Sequence, residues 1–466
     1  MTHYNASKID VRQIAFFAGP ILATLLGSWI SQNDTVSTQA AIAAGVALWC
    51  AVWWVFEPVP VPVTSLIPLA ILPLTGVLTP AQVASAYGHP LILLLMGGFI
   101  LSKAMEASNS HRQIALGIVH MVGYKNPKRL VLGFMLASAI LSMWISNTAT
   151  TLMLLPVALA ALGVSRDTPL APTLFMAIAY AASLGGIGTP IGTPPNLVFM
   201  EFYRQATGVE PDFIQWMQWA MPVVIIFFPI MYFYLTRNLK HLELQAPDSP
   251  GPWTTHQKRV LGIFVLTAIA WVTRKAPFGG WSGFFDLKTA NDAAVALTAV
   301  ITMFIVSDGK GGRLLKWEKA QEIPWGVLLL FAGGITLAKG FTSTGLSDQI
   351  GLAVSGLSHL PILVIILSIA LIVTFLTEMT SNTATTTLLM PVLAAAAVNA
   401  NMDPALLMLP AVLSASCAFM LPVATAPNAI AYGSGYLTVQ QMVKAGFALN
   451  VMGALVITAV TYFSVG

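Results

Sequence analysis

The sequence predicts an all-α polytopic membrane protein of eleven transmembrane spans, arranged as two inverted repeats with two re-entrant hairpins and two discontinuous helices. Three observations lead there. Of 466 residues, 56% are hydrophobic and only 9% charged, and mean hydropathy is +0.78, far from soluble norms. Apolar stretches near 20 residues, the length a bilayer-crossing helix needs, recur along the chain. Finally, one polar phrase occurs twice: Ser146-Asn147-Thr148-Ala149-Thr150-Thr151 followed by Pro156, and Ser381-Asn382-Thr383-Ala384-Thr385-Thr386 followed by Pro391.

Flanking matches turn that phrase into a duplication. Gly97-Gly98 and Lys103 correspond to Gly333-Gly334 and Lys339, and Thr193-Pro194-Pro195-Asn196 corresponds to Thr425-Ala426-Pro427-Asn428, all in the same order at nearly constant spacing. Polar or Gly/Pro-interrupted segments in corresponding places of two halves point to a binding site near the bilayer midplane.

In order, residues 1–36 form a polar amino-terminal segment and a first span from Gln13 to Trp29, which is a retained span and not a cleaved leader. The first repeat covers 37–236. Its span from Ser37 to Phe56 stops at Glu57-Pro58-Val59-Pro60, because prolines remove donors and disfavour helix before each ring. Spans from Val63 to Val77 and from Pro90 to Lys103 follow, and then His111–Met121, too short to cross and polar on one side, lies along the interface.

Residues 129–163 form a hairpin whose limbs are each too short to span, with Ser146-Asn147-Thr148 at its tip. The segment 169–203 is apolar but broken by Gly185, Gly186, Gly188, Pro190, Gly192, Pro194 and Pro195, a break tolerated only where protein buries it or water reaches it. Phe213–Thr236 closes the repeat, with Trp216, Trp219, Tyr232 and Tyr234 read as an aromatic belt.

A polar loop, 237–259, marked by Pro247 and Pro250, leads into the second repeat, 260–466. There the plan returns: spans near Val260–Val272, Ala290–Val306 and Trp325–Gly340, a hairpin 360–399, a broken span 406–432 and a last span from Val443 to Phe463. Between the two Gly-Gly spans the chain crosses five times, an odd number, so the repeats are inverted. With the amino terminus cytoplasmic, most of the 22 Lys and Arg residues, Lys8, Arg12, Lys103, Arg166 and Arg237 among them, fall inside. Only Arg204, Arg274, Lys275, Lys288 and Lys339 fall outside, together with the carboxyl terminus.

Each tip serine stands where a helix begins and is placed to cap free backbone donors. Two helix amino termini converging from opposite sides suit an anion, while Asn and Thr oxygens and the carbonyls freed at the breaks are hard donors suited to Na⁺. No Lys or Arg lies well inside a span, so an anion there depends on bound cation, and each ligand lowers the cost of the other. Net charge of +4 gives no reason to expect nucleic acid as a partner. No His/Asp/Glu cluster supplies catalysis, and Cys50 and Cys417 sit in apolar segments that suggest neither disulfide nor metal cluster. Glu57 and Glu378 are the acidic side chains that a proton-coupled reading would use, with local pairing as the plainer role of Glu378.

The paired Ser-Asn-Thr tips, each followed by a Thr-x-Pro-Asn break, resemble the divalent-anion/sodium symporter family over most of the chain. The resemblance implies a homodimer in a bacterial cytoplasmic membrane, scaffold and transport domains in elevator motion, and four-carbon dicarboxylates such as succinate, malate or fumarate carried with at least two Na⁺. It implies that Ser146, Asn147, Thr148, Ser381, Asn382 and Thr383 contact substrate, with Thr193 and Thr425 opposite. One Na⁺ would sit among Ser142, Ser146, Asn147 and the Gly192 carbonyl, another among Thr377, Thr380, Asn382 and the Ala424 carbonyl. The second break departs from the first, having Ala426 in place of Pro194 and no glycine between Cys417 and Thr425. Dicarboxylate exchange, carriage of citrate or sulfate, and a non-transporting scaffold are the alternatives.

Overall fold

The computed structural model describes residues 11–32, 36–162, 168–240, 249–275, 277–353 and 360–465; Lys8, Arg166 and Pro247 lie outside them. Among the described residues the chain is helical throughout, with one isolated bridge between Ser307 and Arg313. Six stretches among the described residues are long and apolar enough to cross a membrane: Val11–Ile30, Thr38–Phe56, the bent Pro80–Ala107, Phe213–Thr236, Trp325–Thr344 and Val439–Val465. Shorter apolar helices include one limb of each hairpin, Asn147–Leu162 and Ile362–Thr377, and the longer half of each broken span. Apolar side chains face outward, Phe17, Leu25, Leu266 and Phe463 among them, as expected where the surroundings are lipid.

Local chemistry sets the boundaries. Ser37 caps Thr38–Phe56 by accepting from the Ala40 N–H, and Glu57 ends that helix in a left-handed conformation. The span read as Val63–Val77 divides into Val61–Thr64 and Leu66–Leu74, with Pro62, Pro68 and Pro73 spaced through it. Thr79 and Gln82 form a reciprocal cap at the start of Pro80–Tyr87. The short helix Ser110–Val122 lays Ala115, Leu116 and Val119 against Pro127–Ser142. The Gly-Gly pairs serve close packing: a Cβ on Gly97 would meet that of Ala296 at 2.7 Å, and one on Gly333 the Ser65 carbonyl at 2.5 Å.

Both hairpins form, as Pro127–Ser142 with Asn147–Leu162 and as Ile362–Thr377 with Asn382–Asn399. Both broken spans form too, as Leu170–Gly186 with Pro194–Thr207 and as Ala405–Ala415 with Ala426–Gly433. Their packing is crossed. Both limbs of each hairpin lie on the long half of their own broken span, and the second limb also lies on the short half of the other repeat's broken span.

The aromatic belt is corrected in part. Trp216 is fully buried, and its indole N–H donates to the Ile187 carbonyl at 2.9 Å, pinning the first break. It faces the interior, where Phe199 meets it edge-on.

Candidate functional site

Both tips open on one cavity of about 1600 Å³. Ser146, Asn147 and Thr148 come from one side, Thr380, Ser381, Asn382 and Thr383 from the other, and Gly192, Thr193, Ala424 and Thr425 from the breaks. Ser142 and Thr377 do not line it; both are fully buried beneath the tips.

The first tip is built as its sequence suggests. Ser146 is the cap, its hydroxyl accepting from the Ala149 N–H at 3.2 Å, and the N–H groups of Asn147 and Thr148 find no partner among the described residues. Ser381 departs from that reading: it occupies the cap position with extended backbone, but its hydroxyl caps nothing. Each tip therefore presents helix N–H donors toward the cavity, favourable for an anion.

Beneath the tips the two halves repeat one arrangement. The Ser142 hydroxyl donates to Asn147 Oδ1, and Thr377 Oγ1 lies 2.7 Å from Asn382 Oδ1 and 2.9 Å from the Ala415 carbonyl. Thr380 Oγ1 meets the Leu376 carbonyl and Thr385 Oγ1 at 2.9 and 2.6 Å. The Gly192 and Ala424 carbonyls accept no hydrogen bond from the described residues. Every atom in these two groups is a hard oxygen donor, the type that takes an alkali cation in preference to a soft metal.

Glycine in the first break is a matter of room. A Cβ on Gly186 would stand 2.6 Å from Asn147 Oδ1, and one on Gly185 would overlap the Ala139 carbonyl, so a side chain at Gly186 pushes the tip, and one at Gly185 the first limb, off the break.

Two asparagines that the sequence reading noticed only as motif letters hold the breaks in shape. Asn196 Nδ2 donates to the Gly186 and Thr189 carbonyls at 3.0 and 2.7 Å, and Asn428 Nδ2 donates to those of Ala418 and Leu421, both at 3.0 Å. In each case the partners stand ten and seven residues upstream, so the signal was present as the shared Asn of both breaks. Glu378 is also more than a local partner; its carboxylate reaches the second break.

The cavity is not free of cationic side chains, as the sequence map had it. Arg12 and Lys103 line it, accompanied by Glu57, Glu106 and Glu322. Lys103 is paired with Glu106 at 2.8 Å, and the Lys319 ammonium, 2.7 Å from Glu322, holds that carboxyl below the usual range. Arg12, Lys103 and Glu106 enter because Val11–Ile30 and the end of Pro90–Ala107 border the cavity. His111, read as interfacial, is buried and bonded through Nδ1 to the Met105 carbonyl at 3.0 Å.

Two re-entrant tips and two broken helices around one polar cavity define a membrane transporter, a class whose solute sites lie at such breaks. The chain belongs to the divalent-anion/sodium symporter family: the family model described as citrate transporter (CitMHS) matches residues 51–406. A sodium-dependent dicarboxylate transporter, SdcS, of Staphylococcus saprophyticus is 37% identical over 489 residues, covering 99% of this chain and 92% of that protein. SdcS of Staphylococcus aureus is 38% identical over 475 residues, covering 97% and 90%. Among solved structures, the Alcanivorax borkumensis YdaH transporter shares the fold, with a TM-score of 0.60, 14% identity and coverage of 97% of this chain and 98% of that one.

Proposed function

We propose that the protein is a secondary active transporter that carries Na⁺ together with a C4-dicarboxylate such as succinate, malate or fumarate. The observation that carries this is the meeting of both Ser-Asn-Thr tips at one cavity; sodium-dependent dicarboxylate transporters at 37–38% identity over nearly the whole chain support it.

Free N–H groups at the tips, with Ser146, Asn147, Thr148, Ser381, Asn382 and Thr383, bind the two carboxylates, and Thr193 and Thr425 close the other side. Na⁺ sits under each tip, among Ser142, Ser146, Asn147 and the Gly192 carbonyl, and among Thr377, Thr380, Asn382 and the Ala424 carbonyl. Positive charge from the ions offsets the diacid, and that mutual stabilisation is the coupling. No bond is made or broken, so the protein acts as a carrier and not an enzyme. The hairpins and broken spans move as one body across the bilayer against a scaffold of the remaining spans, in a homodimer whose amino termini are cytoplasmic and whose carboxyl termini lie outside. The domain boundaries are those of the sequence reading, 37–236 and 260–466, with the repeats inverted.

Uptake of labelled succinate by proteoliposomes, with and without an inward sodium gradient, tests the function. Accumulation only with the gradient is expected; equal uptake in both conditions would sink symport and favour dicarboxylate exchange. Citrate is the second reading, because the matching family model is described by that substrate, and unlabelled citrate should then compete with succinate at similar concentrations.

A further inference from the structure

Aligning Ser146 with Ser381 sets Met143 against Glu378, and the two positions do different things. Met143 offers its backbone carbonyl to the Thr189 hydroxyl in the glycine-rich first break. Glu378 sends its side chain into the glycine-free second break and is only 3% exposed. Its Oε1 accepts from the N–H groups of Phe419 and Met420 at 2.7 and 2.9 Å and from Asn450 Nδ2 at 2.7 Å, and its Oε2 accepts from the Leu421 N–H at 2.9 Å.

Three successive backbone donors on one carboxylate hold the 419–421 turn, where glycines and Thr189 serve in the first break. Among the described residues no Lys, Arg or His pairs with this carboxylate. Its neutralisation is by dipoles alone, which leaves a net negative field in a low-dielectric interior. The next residue back along the chain is Thr377, whose hydroxyl meets Asn382 Oδ1.

We infer that Glu378 is a positioning residue for the cation site under the second tip and strengthens Na⁺ binding there, a contribution that has no counterpart under the first tip. The carboxylate acts twice: it shapes the break that carries the Ala424 carbonyl, and it supplies a fixed negative charge that the first site, with Met143 in the matching place, lacks. This rests on the cation assignment proposed above.

Sodium dependence reads the inference directly. In proteoliposomes of the full chain, Glu378→Gln should raise the sodium concentration for half-maximal succinate uptake by roughly tenfold or more, while substrate KM at saturating sodium moves less than about threefold. Glu378→Asp, which keeps the charge but retracts it, should raise it only about two- to fivefold. A glutamine variant whose sodium curve overlies that of the unaltered protein overturns the inference, and so does an aspartate variant displaced as far as glutamine. If the glutamine variant is not recovered folded, the aspartate variant carries the test, and an unchanged sodium half-saturation overturns it. The thermal shift produced by NaCl over choline chloride in detergent gives a readout without transport. No shift in the unaltered protein removes the cation reading beneath the inference; equal shifts in the unaltered and glutamine proteins overturn the role of Glu378 alone.

Discussion

Asn147 and Asn382 each face two ways. Their Oδ1 atoms take a hydroxyl from beneath the tip, and both residues line the cavity above it. Alanine at either position removes the amide from the cavity wall and leaves Ser142 or Thr377 without its tip partner. Succinate uptake by Asn147→Ala and Asn382→Ala is expected to fall at least about tenfold, roughly 1.4 kcal/mol or more. The gel-filtration profile and melting temperature should hold close to the parent's; full uptake by both variants would remove the tips from the mechanism.

Helix breaks are stable only if their freed backbone groups are paired, and the two halves solve that at element scale in part alike and in part differently. The Asn196 and Asn428 clamps are shared. Replacing either by leucine strands one buried carbonyl, that of Gly186 or Ala418, at a cost of about 1–3 kcal/mol, while Thr189 and Leu421 keep the Gly192 and Ala424 N–H groups, so both variants should melt lower and lose uptake together. Gly186→Ala tests the tip-to-break fit: the new methyl meets Asn147 Oδ1 at 2.6 Å, and uptake should drop while helix content by circular dichroism stays the same.

Over the whole molecule the cavity is lopsided. Arg12, Glu57, Lys103, Glu106 and Glu322 border it, and the charge map assigns the two cations, Arg12 and Lys103, to the side of the amino terminus. On the opposite side Glu201, fully buried, is held by His89 at 3.1 Å, by Arg204 at 2.8 Å and by Gln205 at 2.6 Å. That cluster ties the start of Pro90–Ala107 to Pro194–Thr207. With the amino terminus cytoplasmic, a membrane-impermeant maleimide should label Glu322→Cys only in inside-out vesicles and Val209→Cys only in intact cells; the reverse pattern would invert the proposed orientation.

Apolar length, proline and glycine placement, and the repeated phrase determined the helical membrane fold, both hairpins and both breaks, because each is a local matter of hydrophobicity and backbone freedom read over some 20 residues. The same signals singled out the tip residues that line the cavity. Partnerships between distant segments were decided only by tertiary structure. Trp216 pins Ile187, Glu378 gathers three N–H groups some 40 residues away, and each hairpin leans on the other repeat's short helix. A tryptophan near a span end or an acid near a hairpin carries no sign of its partner until the chain packs. What it will satisfy depends on which buried backbone groups the breaks leave without partners.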